Sequence, residues 1–110
     1  MNKKFEVVLL EEALSFIASL DLKIRKKIYY NLDKARHGND PKLFKKLTDE
    51  IWEFRTKYSG LQYRFFAFWD KTKEGETLVI STHGIIKKVS KIPISEIEKA
   101  KKIRAVYLEL

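Results

Sequence analysis

The sequence predicts a small α+β domain with the element order β-α-α-β-β-β-α, in which helices pack on a mostly antiparallel sheet. Apolar residues recur at three- and four-residue steps in the first 36 residues and again after Pro93, which is typical of amphipathic helices. Residues 51–86 instead carry β-rich runs separated by turn-forming pairs. Because 110 residues suit one core and no linker or repeat divides them, residues 1–110 are expected to form one domain.

The N-terminal part predicts a strand followed by two helices. Residues 5–10 are a short β-rich run. Residues 11–20 show helical spacing, with the apolar side chains Leu14, Ile17, Ala18 and Leu20. Asp21 is a candidate cap for a second helix over residues 22–36, which ends before Pro41. The apolar face of that helix would consist of Ile24, Ile28, Leu32 and Ala35.

The middle of the chain predicts three strands. Residues 51–58 alternate, so that Glu53, Arg55 and Lys57 share one side. Ser59-Gly60 indicates a hairpin turn into residues 61–69, which are apolar on both sides and therefore favour a central strand. Residues 71–76 form a polar turn, and residues 77–83 begin a third strand whose pattern can continue to residue 86.

The last element is predicted to be a helix. Pro93 ends the strand region, and Ser95 and Glu98 have the spacing of a capping box. The buried stripe of this helix would consist of Ile97, Ala100, Ile103, Tyr107 and Leu110.

Composition narrows the function. The formal net charge is +8, concentrated in residues 21–50 and 81–110, which indicates a polyanionic partner such as nucleic acid or an acidic protein; a soluble basic domain without such a partner gives the same total. The chain has no cysteine, and its two histidines lack zinc-site spacing, so we expect no metal and no cofactor. Glu6, Glu11 and Glu12 interrupt the apolar N-terminus, so we expect a cytoplasmic protein with no membrane partner.

The candidate functional residues are cations placed on or beside the predicted strands: Arg55, Lys57, Arg64, Lys87, Lys88 and Lys91. Arg64 lies among apolar residues, and a buried guanidinium needs a counter-charge or an anionic ligand. A cross-strand ion pair with Glu53 and a phosphate at the floor of a concave sheet explain Arg64 equally well. Adjacent Lys87 and Lys88 point to opposite faces unless a bulge turns both to one site, and a solvated strand end is the simpler reading of this pair. His83 can be a structural histidine or a base.

Four short motifs in one order resemble the HigB branch of the RelE toxin superfamily. They cover residues 43–104 and match a family pattern of the form W-E-L-R, Y-R, L-H-G-F-x-K-K-x-x-x-x-P and E-I-x-x-A. In this sequence the motifs are Trp52-Glu53-Phe54-Arg55, Tyr63-Arg64, His83-Gly84 with Lys87-Lys88, Lys91 and Pro93, and Glu96-Ile97 with Ala100. The sequence departs from the pattern at Ile85, Val89 and Ser90.

The resemblance implies a RelE-like fold and the toxin of a type II toxin–antitoxin pair. Such toxins cleave messenger RNA without a metal, typically on the ribosome, and an antitoxin that is often a helix-turn-helix protein neutralises them. Arg64, Lys87 and Lys88 match positions where basic residues contact the scissile phosphate, and Arg55 matches a basic position on the same face. His83 belongs to the motif without a fixed role. The catalytic tyrosine of some relatives has no counterpart after the lysines.

These implications give a mechanistic hypothesis in which the RNA 2′-hydroxyl attacks its own phosphodiester. Arg64 would stabilise the phosphate, and Lys87 or Lys88 would add charge or protonate the leaving group. The base stays open between a lysine, His83 and Glu53. Cations outside the centre would contact the RNA backbone, namely Arg55, Lys57, Lys91, Lys23, Lys26 and Lys27. The alternative is a non-catalytic RNA- or protein-binding module that retains the fold.

Overall fold

The computed structural model describes residues 3–88 and 90–109 and has the expected α+β class. Five strands form one sheet in the spatial order β1-β5-β4-β3-β2, in which β1 pairs parallel with β5 and the other neighbours are antiparallel. The strands are β1 (Glu6–Leu9), β2 (Phe44–Lys46), β3 (Trp52–Tyr58), β4 (Leu61–Asp70) and β5 (Leu78–Lys87). The helices are α1 (Glu11–Ala18), α2 (Leu22–Arg36) and α3 (Ile94–Glu109). No helix in these two stretches is both long and apolar enough to cross a bilayer.

The sheet carries a core on each face because its central strand is apolar on both sides. On one face, Tyr63 and Phe65 of β4 pack in a cluster with residues of α1 and α2. On the other face, Phe66 and Phe68 of β4 pack with Ala100 of α3. The two cores on opposite faces of the sheet confirm the expected central position of residues 61–69, whose strand is third among the five.

The hairpin between β3 and β4 fixes the register of the site. Ser59 and Gly60 have φ angles of 48° and 80°, as a tight two-residue turn between twisted strands requires. Arg55 consequently lies directly opposite Arg64, and across the other edge of β4, Gln62 lies opposite Lys87. Arg55, Arg64 and Lys87 therefore lie close to one another at the end of the sheet that carries this hairpin.

Several expectations about elements need correction. The short strand β2 was missed because three residues, Phe44–Lys46, give too little pattern to recognise. Helix α1 buries Ala13 and Ile17, with Phe16 and Leu20 packed against the core, whereas Leu14 and Ala18 are exposed. The helix itself was predicted correctly, but its buried face differs from the predicted one. The helix begins at Glu11, directly after Leu10, and this start places Ala13 and Ile17 against the sheet.

The caps also differ from expectation. Asp21 occupies the position before α2, but its side chain makes no capping hydrogen bond, and its backbone carbonyl accepts the N–H of Arg25. Ser95 is the second residue of α3 rather than its cap, because the helix begins at Ile94. The expected stripe of α3 is present in part, with Ala100 buried and Ile97 and Tyr107 packed against the second core, while Ile103 is partly exposed and not among the residues packed there; Leu110 lies outside the described residues.

Candidate nucleic-acid interface

One face of the sheet carries most of the candidate residues, because alternate residues of a strand point the same way. Arg64 shares its face with Gln62 on β4, and the residues opposite them are Arg55 on β3 and Lys87 on β5. Glu53 lies two residues before Arg55 on the same face. This is the face covered farther along by α3.

Arg64 is the best-fixed cation of the group. It is 4% exposed, and its Nη1 donates a hydrogen bond of 3.0 Å to Oε1 of Glu53, which is 3% exposed. Its Nη2 donates to the side-chain oxygen of Gln62. The cross-strand ion pair expected as one of two explanations is therefore present, and it holds the guanidinium in one orientation at the floor of the sheet.

Further cations surround this pair. Nη1 of Arg55 donates to the backbone oxygen of Pro41 at 3.0 Å, and its Nε lies 3.8 Å from Oε2 of Glu53. That Nε is buried and has no hydrogen-bond partner among the described residues. Lys42 and Lys57 join Arg55, Gln62 and Arg64 in lining a cleft of about 400 Å³. Positive charge in the cleft thus exceeds what Glu53 can balance.

Lys87 extends the positive cluster onto β5. Partial burial is the main cause that holds its pKa below the usual value of a lysine, and the positive charge of Arg64 adds to the effect, while Glu53 opposes it. Arg55 and Lys45 lower the pKa of Lys87 further. A lysine in such surroundings exchanges its proton closer to neutral pH than an ordinary lysine does.

Lys88 and Lys91 lie beyond the end of β5 and are exposed. Lys88 lines a second groove, of about 570 Å³, together with Lys87, Phe16 of α1, and Pro93 and Glu96 beside or on α3. The structure thus places Lys87 next to both grooves and Lys88 in the second. Among the paired residues of β4 and β5, which end at Lys87, the one register shift lies at Phe66/Ala67 and not beside the lysines.

His83 lies inside the protein, 1% exposed and stacked on Phe66 with ring centroids 4.9 Å apart. Its Nδ1 is 2.8 Å from the hydroxyl of Thr82, and its Nε2 is 3.1 Å from Oε1 of Glu96. Burial lowers the pKa of His83 despite the opposing hydrogen bond to Glu96. This arrangement favours a neutral structural histidine that ties α3 to β5 over a base that reaches RNA.

The lysines of α2 belong to a different surface. Ile28, Leu32 and Ala35 of this helix pack into the core on the sheet face opposite Arg64. Lys23, Lys26 and Lys27 are exposed, and Nζ of Lys27 lies 5.3 Å from the centre of the Tyr30 ring. The structure therefore does not bring these three lysines into the cleft.

Sequence analysis missed three residues that line the cleft, namely Lys42, Thr56 and Gln62. Lys42 reaches it only because the segment before β2 folds against Arg55, whose N–H donates to the carbonyl of Leu43. Gln62 was identifiable in principle, since it lies two residues before Arg64 and must share its face in a strand.

The comparison with protein families then identifies the group to which this architecture belongs. The family model described as Phage derived protein Gp49-like (DUF891) matches residues 15–105. The chain belongs to this Gp49-like family. The family is toxin-like, of the RelE/HigB type, so a toxin–antitoxin context and an antitoxin partner follow for the chain at that level. No curated protein matches the sequence.

Proposed function

We propose that this Gp49-like protein is the toxin of a type II toxin–antitoxin pair, that it belongs to the HigB branch, and that it cleaves messenger RNA as a metal-independent endoribonuclease. The observation that carries the proposal is the excess of cations at one end of the sheet: Glu53 pairs with Arg64 and Arg55 and acts electrostatically on Lys87, while Lys42 and Lys57 line the same cleft as the two arginines. Such an excess of positive charge on a sheet surface favours a phosphodiester as ligand.

Arg64 and Arg55 stabilise the charge that develops on the phosphorane. RNA carries its own nucleophile, the 2′-hydroxyl, so the protein has to supply positive charge and proton transfer. Glu53 and Gln62 fix the guanidinium of Arg64 before RNA binds, and a preorganised donor of this kind can contribute roughly 3–4 kcal/mol to transition-state stabilisation. Arg55 adds a second fork, with an unpartnered Nε beside Glu53.

Lys87 is the group that transfers the proton. Its pKa is lowered, and it lies on the same sheet face as Arg64, one strand away. Of the other two candidates for the base, Glu53 accepts from Arg64, and His83 is buried between Thr82 and Glu96. Lys88 then adds charge near the leaving group, and Lys57 and Lys91 contact the RNA backbone.

The proposed partners are messenger RNA on the ribosome and an antitoxin with a helix-turn-helix domain. The exposed lysines of α2 lie across the sheet from the cleft, so they would contact a second stretch of RNA backbone, as ribosomal RNA would offer. A small helix-turn-helix protein encoded beside this chain would support this assignment of the antitoxin.

The test compares Lys87→Gln with Lys73→Gln in a translating extract with mapped RNA ends. Both variants lose one charge, but Lys73 follows the opposite end of β4, beyond Asp70. We expect Lys87→Gln to reduce cleavage about 10²- to 10³-fold, as the loss of one transition-state group does, while Lys73→Gln cleaves like the wild type.

The same pair of variants tests toxicity in cells. Uncontrolled expression of the wild type and Lys73→Gln should stop growth, whereas folded Lys87→Gln should not. Full toxicity of folded Lys87→Gln would refute the role of Lys87. If wild-type protein yields no new RNA ends in the extract, the nuclease itself is refuted.

One other function is a non-catalytic RNA-binding module. It is favoured because Glu53 is hydrogen-bonded to Arg64 and His83 to Glu96, so neither side chain is free to act as a base. This alternative has the same basic cleft, so it predicts RNA binding that weakens steeply with salt. It differs in producing no cleaved RNA in the extract.

A further inference from the structure

Strand β5 has an open edge. Its residues Leu78–Ser81 pair with β1, but β1 ends at Leu9, and β5 continues to Lys87. Along this extension, β4 lies on one side of β5, and no strand of the described residues lies on the other. Burial changes two residues farther along, since the residues up to His83 are buried and Gly84–Lys87 are partly exposed.

A groove lies beside this edge. Its lining consists of residues 84–88, Phe16 of α1, and Pro93 and Glu96 beside or on α3. Within residues 3–88 and 90–109, the backbone of Gly84–Lys87 makes no hydrogen bond to any loop or helix. Alternate N–H and C=O groups of an edge strand are free to pair with a further extended chain.

The charges beside the edge select the sequence of such a chain. Lys87 and Lys88 line the groove, and Lys91 follows on the next segment. The acidic residue of the groove, Glu96, already accepts from His83. A neighbouring strand that carries Asp or Glu opposite the lysines would pair favourably, whereas two copies of this chain, joined edge to edge, would bring two Lys87-Lys88 pairs into one short interface.

We propose that the β5 edge, Gly84–Lys87, binds an extended acidic segment of a partner protein as a sixth strand of the sheet. Four edge residues span about 13 Å, so the contact covers a short segment, and the backbone hydrogen bonds supply the affinity while Lys87 and Lys88 supply the preference for acidic residues. This inference does not rest on the nuclease: it shares the side chains of Lys87 and Lys88 with the proposed active site, but it requires only their positive charge and the free backbone groups of the edge.

The test is an NMR titration of the whole chain with a blocked peptide of alternating Glu and Val, six residues long. We expect shifts of the backbone amides centred on Gly84–Lys87, and slower hydrogen exchange of the amides that face away from β4. Lys88→Glu should weaken binding at least several-fold, and Lys73→Glu, which changes charge equally at the other end of the sheet, should not.

Two control peptides separate strand pairing from simple charge attraction. The same peptide with alternate backbone nitrogens methylated keeps its charges but cannot pair as a strand, and a Lys-Val peptide pairs but has the opposite charge; both should bind much more weakly. The proposal is overturned if the methylated peptide binds equally well, if shifts map to the cleft or to α2, or if none occur at millimolar peptide. Edge amides protected in the free chain in proportion to its concentration would show a second copy there, and would overturn it too.

Discussion

The buried pair Arg64–Glu53 allows a quantitative test of the site. Removing one partner leaves the other as a charge that is less than 5% exposed, and breaking a buried ion pair in this way typically costs about 3–5 kcal/mol. Arg55 Nε lies 3.8 Å from the second oxygen of Glu53 and compensates in part, so Arg64→Met should fall at the lower end of that range, near 3 kcal/mol. Replacing both residues, as in Glu53→Leu/Arg64→Met, removes both charges and should cost less than the sum of the single changes.

The measurement is urea unfolding of the wild type, the two single variants and the double variant. We expect a coupling energy of about 2 kcal/mol or more, within the range found for residues in direct contact. Single costs that add to within about 0.5 kcal/mol would refute the buried pair, because independent sites behave in that way. The result also decides how activity is tested, since an inactive but unstable Arg64→Met variant says nothing about RNA.

Two further predictions concern Gly84 and Lys87. A Cβ on Gly84 would lie 2.6 Å from Cδ2 of Phe16 and 2.7 Å from Cε2 of Phe65, so Gly84→Ala should lower the free energy of unfolding by about 1–3 kcal/mol. The control is Gly38→Ala, which should change this free energy by about zero because no atom lies within 4 Å of the added Cβ. Equal losses for the two variants in thermal unfolding would contradict this packing. If Lys87 is the base, cleavage should rise about tenfold per pH unit and level off at its lowered pKa, below the usual 10.5, whereas Lys87→Arg should show no plateau in that range. A flat pH profile for the wild type would rule out Lys87 as the base.

The lowered pKa of Lys87 should also make the free energy of unfolding depend on pH. The unfolded chain holds the proton of Lys87 up to its ordinary pKa, and the folded chain releases it earlier. Between those two values the unfolded state binds more protons, so this group makes stability rise with pH across that window.

Most helices and strands could be predicted from the sequence, because a long segment with a regular apolar period fits only one type of secondary structure. The strands around the Ser59-Gly60 turn and the apolar face of α2 were identified from spacing alone. The sequence was insufficient for β2 and for the face of α1, because three residues carry no period, and the phase of a short helix depends on where the preceding strand ends. The pairing of Gln62 with Lys87 was also not predictable, because it depends on how β4 and β5 align in the folded sheet.

The site was predictable in its residue types and less so in its arrangement. Arg55, Arg64 and Lys87 lie on one face of the sheet, whereas alternation along the sequence had grouped Glu53, Arg55 and Lys57; the cross-strand registers add Arg64 and Lys87 to that face. His83 shows the limit, because its burial between Thr82 and Glu96 depends on how α3 docks, and no local pattern encodes that. The α2 lysines show the same limit, since only the layer order reveals that they lie across the sheet.

Gln62 has a specific consequence for how Arg64 can act. Each terminal nitrogen of the guanidinium carries two N–H groups and donates one of them, Nη1 to Glu53 and Nη2 to Gln62, so a phosphate can accept from the remaining N–H groups or take the place of the amide. The amide is neutral and lies on the half-exposed side, which makes it the easier partner to displace. In the proposed function, Glu53 would keep the orientation of Arg64, and the guanidinium would bind the phosphate without losing its buried counter-charge.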